Sequence, residues 1–265
     1  MFLNVFERGE KMLREERLKK IMNLLKEKNH VTTKEISKLF SISEITVRRD
    51  LKFLESQGLI ERKHGGAILK NFFMEVPFFL RLDIRKSEKQ AIAQKTIELI
   101  NNGQTIAMSG GTTVYYVAKA LENSSVHDLT IVTNSITTAW AIIGLNKNFK
   151  LIHSGGTVKP GSFECIGSHT INFFMNMEFD VYILGVDGLD LNKGITFSDF
   201  EERNIASTII KNSSKIVVVA DEDKLGKIAP FKVCEISDID ILITKADENL
   251  VSNFRTSGIK IINLD

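Results

Sequence analysis

The sequence predicts an α/β protein in two parts: a small helical module that ends in a β-hairpin, and a doubly wound, mainly parallel sheet flanked by helices. Apolar residues follow helical spacing up to about Gln57. From Ser87 onward, short apolar runs alternate with amphipathic segments. We therefore expect a first domain over residues 12–70, a linker over 71–86 and a second domain over 87–265.

The composition excludes several classes of protein. Of the 265 residues, 43% are hydrophobic and 26% are charged, as in ordinary globular chains. No apolar run approaches the roughly 20 residues that span a bilayer. Cys165 and Cys234 lack a CxxC spacing, which argues against a disulfide framework and a structural zinc site. His153 and His169 add no metal-ligand spacing to Cys165, so we expect neither a metal nor a cofactor.

The N-terminal residues predict a cytoplasmic protein. No basic segment precedes the apolar Met1–Phe6, and Glu7–Glu10 follows it in place of a small-residue cleavage site. Purine-rich codons for Arg8–Met12 would form a ribosome-binding site, so we expect translation to begin at Met12.

Charge is distributed unevenly along the chain. The first 70 residues contain 16 Lys and Arg against 10 Asp and Glu, whereas the remainder contains 19 against 23. A basic N-terminal part indicates an anionic polymer as its partner.

The spacing of apolar residues predicts three helices before Gly58. The first covers 13–28, the second begins at the capping box Thr32–Glu35 and ends at Phe40, and the third is capped by Ser43 and ends at about Gln57. We expect the inward-facing residues to be Leu18, Ile21, Met22 and Leu25, then Ile36, Leu39 and Phe40, then Val47, Leu51 and Leu54.

A β-hairpin with a glycine turn follows these helices, over 59–63 and 64–69, with Arg62, Lys63 and His64 at its tip. Two short helices joined by a tight turn and followed by a hairpin predict a winged helix-turn-helix. Such a module places its second helix in the major groove of double-stranded DNA, and a basic hairpin tip suits the phosphate backbone.

We expect the DNA contacts to come from the exposed side of the third helix and from the hairpin tip. Arg48 or Arg49 is the candidate for guanine recognition, and Thr46 would contact a thymine methyl group or a phosphate. The predicted DNA-binding residues are Ser43, Thr46, Arg48, Arg49, Lys52, Arg62, Lys63 and His64. The alternative is a helical hairpin whose basic residues are merely solvated.

Aromatic residues outside these elements also carry expectations. The linker contains the cluster Phe72, Phe73, Phe78 and Phe79. Exposed, such a cluster would promote aggregation, so we expect it to pack between the domains or between protomers. Trp140 lies in an apolar helix and is expected in the core.

The second part predicts strands and helices in alternation. We expect strands at 105–108, 129–133, 150–153, 181–184, 215–220, 240–244 and 260–264, and helices at 87–101, 113–121, 135–145, 168–175, 200–212 and 248–256. This pattern is typical of a doubly wound parallel sheet, in which ligands bind beyond the carboxyl ends of the strands.

Glycines and small polar residues concentrate at those strand ends and predict a site for a phosphorylated small molecule. Backbone N–H groups at a helix start bind anions, and Lys224 would add a positive charge. The predicted residues are Ser109, Gly110, Gly111, Thr112, Thr113, Thr133, Asn134, Ser135, Gly155, Gly156, Asp187, Gly188 and Lys224. The sequence has no GxGxxG or GxxxxGK[ST] motif, which argues against a dinucleotide site and a P-loop.

Ser43–Leu51, Leu54-Glu55 and Gly58–Ala67 together resemble the winged helix of DeoR-family bacterial transcription regulators. The second part is similar to the sugar-phosphate sensor domain of that family, which shares its fold with ribose-5-phosphate isomerase. The matching residues there are Gly111–Thr113, Thr133–Ser135, Gly155-Gly156, Gly167, Asp187-Gly188, Gly194–Thr196, Glu201, Asp221 and Lys224–Gly226.

The resemblance implies a repressor of a sugar-catabolism operon that binds operator DNA and a phosphorylated sugar, and it adds Glu201 to the effector-binding residues. Because operators usually consist of repeated half-sites, we expect a homo-oligomer, either a dimer or a tetramer. Ser109 and Lys245 depart from the family, which usually has an acidic residue at the first position and Asp at the second.

The alternative function is sugar-phosphate isomerisation. Asp187, Asp190 and Glu201 would supply carboxylates for general-base proton abstraction. However, the Lys/Gly-rich segment of such isomerases is reduced to Lys193-Gly194, and fusion to a DNA-binding module favours sensing. We therefore expect a regulator and not an enzyme.

Overall fold

The computed structural model describes residues 14–28, 30–56, 59–69 and 78–264. The chain divides into two compact units, Met1–Val76 and Pro77–Asp265. Within the described ranges, no helix is long and apolar enough to cross a membrane.

The first unit is a winged helix-turn-helix, as predicted. Its helices are α1 (Arg14–Lys28), α2 (Thr33–Phe40) and α3 (Glu44–Ser56), and its strands are β1 (His30–Thr32), β2 (Ile60–Lys63) and β3 (Gly66–Leu69). The predicted capping box begins α2: the Thr32 hydroxyl accepts from the Glu35 N–H, and the Glu35 carboxylate accepts from the Thr32 N–H, both at 3.1 Å.

The apolar stripes of α1 and α3 form the core of this unit. The predicted inward residues of these two helices are all buried. The prediction for Leu39 in α2 is wrong, because this side chain is 61% exposed. Leu39 lines a groove of about 360 Å³ together with Leu24 and Val31, at the edge of a helix that ends one residue later. Phe40 is half-buried, and Ile36 is fully buried.

Strand β1 was not predicted, and it extends the hairpin to an antiparallel sheet of order β1-β3-β2. Val31 at its centre is buried. A side chain at Gly66 would overlap the carbonyl oxygen of Val31, so glycine lets β3 approach β1. A strand of three residues is too short to show a period in the sequence.

A buried ion pair joins α1 to α3. Arg17 binds Asp50 through two hydrogen bonds, with Nε 2.5 Å from Oδ2 and Nη2 3.2 Å from Oδ1. The side chains of Asp50 and Arg17 are only 2% and 11% exposed. Removing one partner of such a pair leaves the other charge buried without compensation.

We predict that Asp50→Ala destabilises the first unit by about 3–5 kcal/mol, because the largely buried Arg17 guanidinium loses both hydrogen bonds to the Asp50 carboxylate. Native-state hydrogen exchange of the α1 and α3 amides measures this loss. Glu61→Gln is the control, since it removes only the exposed partner of Lys63 and is expected to cost less than about 1 kcal/mol. An equal effect of the two substitutions would contradict the assignment.

The second unit alternates strands and helices, as predicted. Its helices are α4 (Phe78–Arg81), α5 (Lys86–Ile97), α6 (Thr112–Ala120), α7 (Ile136–Ile143), α8 (Ser168–Met175), α9 (Phe200–Lys211) and α10 (Glu248–Arg255). Its strands are β4 (Thr105–Met108), β5 (Thr130–Thr133), β6 (Lys150–His153), β7 (Thr157–Val158), β8 (Cys165–Ile166), β9 (Val181–Gly185), β10 (Gly188–Asp190), β11 (Gly194–Phe197), β12 (Ile216–Asp221), β13 (Phe231–Cys234), β14 (Ile241–Lys245) and β15 (Lys260–Asn263).

Seven of these strands form one parallel sheet of order β15-β14-β12-β9-β4-β5-β6. Successive residues of each strand belong to two different hydrophobic clusters. In β4, Ile106 and Met108 pack with residues of α5 and α6. Ala107, between them, belongs to the cluster that contains Ile205 of α9 and Val251 of α10. Helices therefore cover both faces, which explains why the strands are apolar on both sides.

The chain reverses its direction of growth across the sheet between β4 and β9. From β4 it adds β5 and β6 on one side, and it then returns to add β9, β12, β14 and β15 on the other. In doubly wound sheets the crevice at such a reversal, outside the carboxyl ends of the strands, is the usual ligand site.

Two small β structures near that crevice were not predicted. Strands β10, β11 and β13 form an antiparallel sheet, and β7 pairs with β8. Their strands are 2 to 4 residues long, too short for an alternating pattern. Gly194 allows close packing here, since a side chain at this position would overlap the carbonyl oxygen of Cys234.

The prediction that Trp140 lies in the core is wrong, because its side chain is 72% exposed. The two threonines of α7, Thr137 and Thr138, lie on the packed face, so the polarity of the sequence does not show which face is inward. The packed face consists of other residues, among them Ala139, Ala141 and Ile142. In the linker cluster, Phe78 is buried and Phe79 is 61% exposed; Phe72 and Phe73 lie outside the described residues.

Candidate functional site

The candidate DNA interface is built on α3. Ser43 caps this helix: its hydroxyl accepts from the Thr46 N–H at 3.2 Å and lies 2.9 Å from the Thr46 hydroxyl. The cap fixes the first helical turn, which in helix-turn-helix proteins carries base-contacting side chains. Arg48, Arg49 and Lys52 follow, and all three are exposed.

The tip of the hairpin is a second exposed basic surface. Arg62 and Lys63 end β2, and His64 lies in the turn before Gly65. All three side chains are exposed. Gly65 has φ of 78°, a left-handed conformation that favours glycine in this tight turn.

Acidic neighbours that sequence analysis missed orient part of this basic surface. The exposed ion pairs are Glu44–Arg48, Glu55–Arg62 and Glu61–Lys63. Such pairs contribute little to stability, but they restrict where the cations point. Among the residues that the structure describes, Arg49, Lys52 and His64 have no ion-pair partner. The spacing of Glu44 and Arg48, four residues apart on one helix, is the signal that would have revealed the first pair.

The candidate ligand site lies at the reversal between β4 and β9. The Ser109 hydroxyl accepts from the Gly185 N–H at 3.0 Å, and the Ser109 N–H donates to the carbonyl of Ile183 at 3.1 Å. Ser109 is buried, and its two hydrogen bonds join the ends of β4 and β9. A Cβ at Gly185 would lie 3.2 Å from the Gly110 carbonyl oxygen, which shows how closely the two loops approach.

Helix α6 starts directly after this junction. Its N-cap is Gly111, which has φ of 92° and provides no side-chain hydrogen bond to the first turn. The N–H groups of a first turn have no partner within the helix and concentrate positive partial charge. Thr112 and Thr113 begin the helix and are both buried. The arrangement suits an anion, as predicted for these residues.

The side chains of the predicted loop after β5 mainly hydrogen bond to other parts of the site and so stabilise it. Ser135 caps α7 by accepting from the Thr138 N–H at 3.2 Å, and its own N–H donates to the Thr133 hydroxyl at 3.0 Å. The Thr138 hydroxyl donates to the Ser109 carbonyl at 3.0 Å. The Asn134 side-chain amide, which is buried, donates to the Cys165 carbonyl at 3.0 Å and to Glu164 Oε2 at 3.2 Å.

The loop after β6 packs tightly against α8. Gly156 has φ of 122°, and a side chain there would overlap the Thr170 hydroxyl. That hydroxyl donates to the Gly155 carbonyl at 2.9 Å. His153 accepts from the Gly155 N–H at 3.0 Å, and burial lowers the pKa of this imidazole.

The predicted carboxylates have different surroundings. Asp187 Oδ2 accepts from the Ser198 N–H at 2.8 Å, and Asp190 Oδ1 accepts from two backbone N–H groups of the following turn. Glu201 is exposed on α9. The neighbouring Glu202 is buried instead, where it accepts from the Ser162 hydroxyl at 2.7 Å and lies 3.1 Å from Lys159 Nζ.

Lys224 and Gly188 complete the predicted residues. Lys224 is half-buried in the short turn Glu222–Lys224 that follows β12. In the part of the chain that the structure describes, its ammonium has no ion-pair partner. Gly188 is buried, and a side chain there would overlap the Lys227 carbonyl oxygen. The parallel sheet brings all the predicted strand-end loops to one edge.

Sequence analysis missed a carboxylate next to the anion loop. Glu164 lies on the hairpin between β7 and β8, and a side chain at Gly110 would overlap its carboxyl group. Its charge adds to burial in raising the pKa values of Cys165 and of the fully buried Tyr182. Its sequence neighbourhood contains no motif, so only the folded hairpin reveals it.

The segment that enters this unit contacts the site from two sides. The Phe78 N–H donates to the Gly161 carbonyl at 2.7 Å, and the Phe78 ring packs edge-on against Tyr115 of α6, with 5.5 Å between centroids. The Phe79 ring packs against Phe163 at 5.2 Å. Phe78 and Phe79 thus touch both the anion-site helix and the hairpin that carries Glu164.

Charged residues tie the same segment to the turn that carries Lys224. Arg85 lies 2.9 Å from Glu88, 3.1 Å from Asp223 and 3.6 Å from Glu222. Hydrogen bonding to Glu88 and Asp223 raises the pKa of this guanidinium despite its partial burial. Within the described ranges, no group of three potential metal ligands occurs.

Two family models match the chain, a DeoR-like helix-turn-helix domain over residues 17–71 and a DeoR C terminal sensor domain over residues 84–246. The chain is 36% identical over 226 residues to the glycerol-3-phosphate regulon repressor of Escherichia coli (strain K12), covering 85% of this chain and 88% of that protein. It is 32% identical over 249 residues to the HTH-type transcriptional regulator GolR of Listeria innocua, covering 93% and 97%.

Solved structures that match the chain include the full-length sorbitol operon regulator SorC from Klebsiella pneumoniae, with a TM-score of 0.44, 13% identity and coverage of 92% of this chain and 99% of that chain. Ribose 5-phosphate isomerase from Plasmodium falciparum matches with a TM-score of 0.36 and 22% identity over 52% of each chain.

Both domains are matched in order, and the regulators align over most of their length. The chain belongs to the DeoR family of transcription regulators.

Proposed function

We propose that this regulator represses a sugar-catabolism operon and that a phosphorylated sugar controls its affinity for operator DNA. The observation that carries the proposal is the uncapped start of α6 at the reversal of the sheet, surrounded by the loops after β5, β6, β9 and β12. The names of two relatives, the glycerol-3-phosphate regulon repressor and the transcriptional repressor GlcR of Bacillus subtilis (32% identical), support a repressor of this type.

In this proposal the phosphate group binds at Gly111–Thr113. The first-turn N–H groups of α6 donate to it, and the Lys224 ammonium approaches from the turn after β12. Ser109 and Asn134 contribute indirectly, because their side chains hold the neighbouring loops together. The half-exposed Asp187 lies at the carbohydrate end of the site.

A ligand can switch operator binding only if it binds two arrangements of the protein with different affinity. The segment from Phe78 to Arg85 suits such a role. It directly follows the segment that joins the two units, and it contacts α6, the Glu164 hairpin and the Lys224 turn. Movement of any of these on ligand binding would change the contacts of Phe78–Arg85.

We further propose that the protein acts as a homo-oligomer, a dimer or a tetramer, that binds repeated half-sites. The segregated charge of the chain and the exposed cations of α3 and the hairpin support the DNA-binding part. Analytical ultracentrifugation with and without a palindromic operator tests the stoichiometry.

We predict that Arg49→Ala weakens operator binding by about 1–3 kcal/mol if the guanidinium binds a guanine through two hydrogen bonds. Fluorescence anisotropy on operator and on random DNA of equal length measures the change. Lys150→Ala is the matched control, because it removes one exposed positive charge in the second unit. An equal loss on both DNAs would indicate a phosphate contact and would contradict base recognition.

We predict that a panel of sugar phosphates contains a ligand that stabilises the second unit, while the unphosphorylated parents do not. A ligand at 100 times its Kd stabilises by about 2.7 kcal/mol, which thermal unfolding detects. Glycerol 3-phosphate and phosphorylated pentoses and hexoses form the panel. Stabilisation by an unphosphorylated parent to the same extent would contradict an anion site.

For that ligand, Lys224→Ala is expected to lower the affinity by about 1.5–3 kcal/mol, the value of a hydrogen bond to a charged group, and to leave operator binding unchanged. Isothermal titration measures the first effect and anisotropy the second. Lys227→Ala is the matched control, because Lys227 is an exposed lysine in the same turn region. If both variants bind alike, the role of Lys224 is wrong.

A further inference from the structure

Glu164 places an acidic side chain beside the anion loop. Its carboxyl group covers Gly110, so closely that any side chain at Gly110 would overlap it. Gly110 is the residue between Ser109, which joins β4 to β9, and Gly111, the N-cap of α6. The carboxylate is therefore next to the proposed phosphate site without being at the helix start itself.

The surrounding structure holds this carboxylate in place. The Asn134 amide donates one hydrogen bond to Glu164 Oε2 and a second to the Cys165 carbonyl, which uses both of its N–H groups. The backbone of Glu164 is fixed as well: its carbonyl accepts from the Lys159 N–H at 2.8 Å, and the residue bridges to Ser135. Asn134 is thus a positioning residue for Glu164.

An oriented carboxylate can accept several hydrogen bonds at once. An ionised carboxylate has about four acceptor positions and no donor, and Glu164 is only half-buried. A phosphate would be repelled by it, whereas hydroxyl groups of a carbohydrate are suitable donors. At the neighbouring position 109 this chain has serine, whose hydroxyl is used in the junction with Gly185, so residue 109 provides no carboxylate here.

We propose that Glu164 is a specificity-determining residue that accepts hydrogen bonds from hydroxyl groups on the carbon chain of the phosphorylated effector. The inference rests on the proposed function, since it assigns the carbohydrate end of the same site. The helix start of α6 and Lys224 bind the phosphate, and Glu164 distinguishes a polyhydroxylated phosphate ester from inorganic phosphate. The loop around Gly110 sets the separation between the two.

The test compares two ligands on two variants of the full-length protein. Isothermal titration measures the affinity of wild type and Glu164→Gln for inorganic phosphate and for the sugar phosphate that stabilises the wild type most in the thermal panel. Glutamine keeps the size of the side chain and removes the charge. We expect at least tenfold weaker binding of the sugar phosphate, with unchanged or tighter binding of inorganic phosphate.

Glu178→Gln is the matched control, because Glu178 is exposed in the same unit, and it is expected to bind both ligands as the wild type does. Glu164→Asp retains the charge but withdraws it by one methylene group; it is also expected to lose affinity for the sugar phosphate selectively. This second variant keeps the test valid if the glutamine variant unfolds.

Three results would overturn the inference. An equal loss of affinity for both ligands would indicate a structural role for Glu164. Tighter binding of the sugar phosphate would indicate that Glu164 repels the ligand. Unchanged affinities would exclude any role of Glu164 in binding. In each case the wild type still binds the sugar phosphate, so the proposed function survives. If the wild type binds no member of the panel, the proposed function itself fails, and the assignment of Glu164 fails with it.

Discussion

The common direction of the seven parallel strands is the constraint on which the site depends. Hydrogen-bonded pairing in parallel register places the carboxyl ends of β12, β9, β4, β5 and β6 side by side. Loops that are far apart in the sequence therefore meet at one edge. Helix α6 begins at the reversal between β4 and β9, where the Ser109–Gly185 hydrogen bond joins the two strand ends.

The segment Phe78–Arg85 is central to our proposal that ligand binding in the second unit controls operator binding. Phe78–Arg85 enters this unit and contacts α6 through Tyr115, the β7–β8 hairpin through Phe163 and the Lys224 turn through Asp223. Each of these elements also borders the proposed ligand site. The proposed ligand site and the entering segment thus share side-chain contacts, which gives the proposed coupling a contiguous structural route.

The sequence was sufficient for the elements whose apolar residues follow a clear period, and for the loops that parallel strands must bring together. It failed where no period exists. The polar residues of α7, Thr137 and Thr138, are buried, so polarity did not reveal that Trp140 is exposed. Glu201 and Glu202 differ only in helical phase, which the Asp199 cap sets by accepting from both of their N–H groups. Glu164 directly precedes β8, which pairs with β7 as two strands of two residues each, and local sequence does not specify such a pair.

In the proposed function, sugar-phosphate binding and operator binding are coupled. Thermodynamic linkage requires the coupling to be reciprocal. The most direct measurement is the Kd of operator DNA with and without saturating sugar phosphate, together with the Kd of the sugar phosphate with and without saturating operator. We predict that each ligand weakens the binding of the other by the same factor, at least about fivefold. If the sugar phosphate binds the operator complex as tightly as it binds the free protein, the two sites are not coupled.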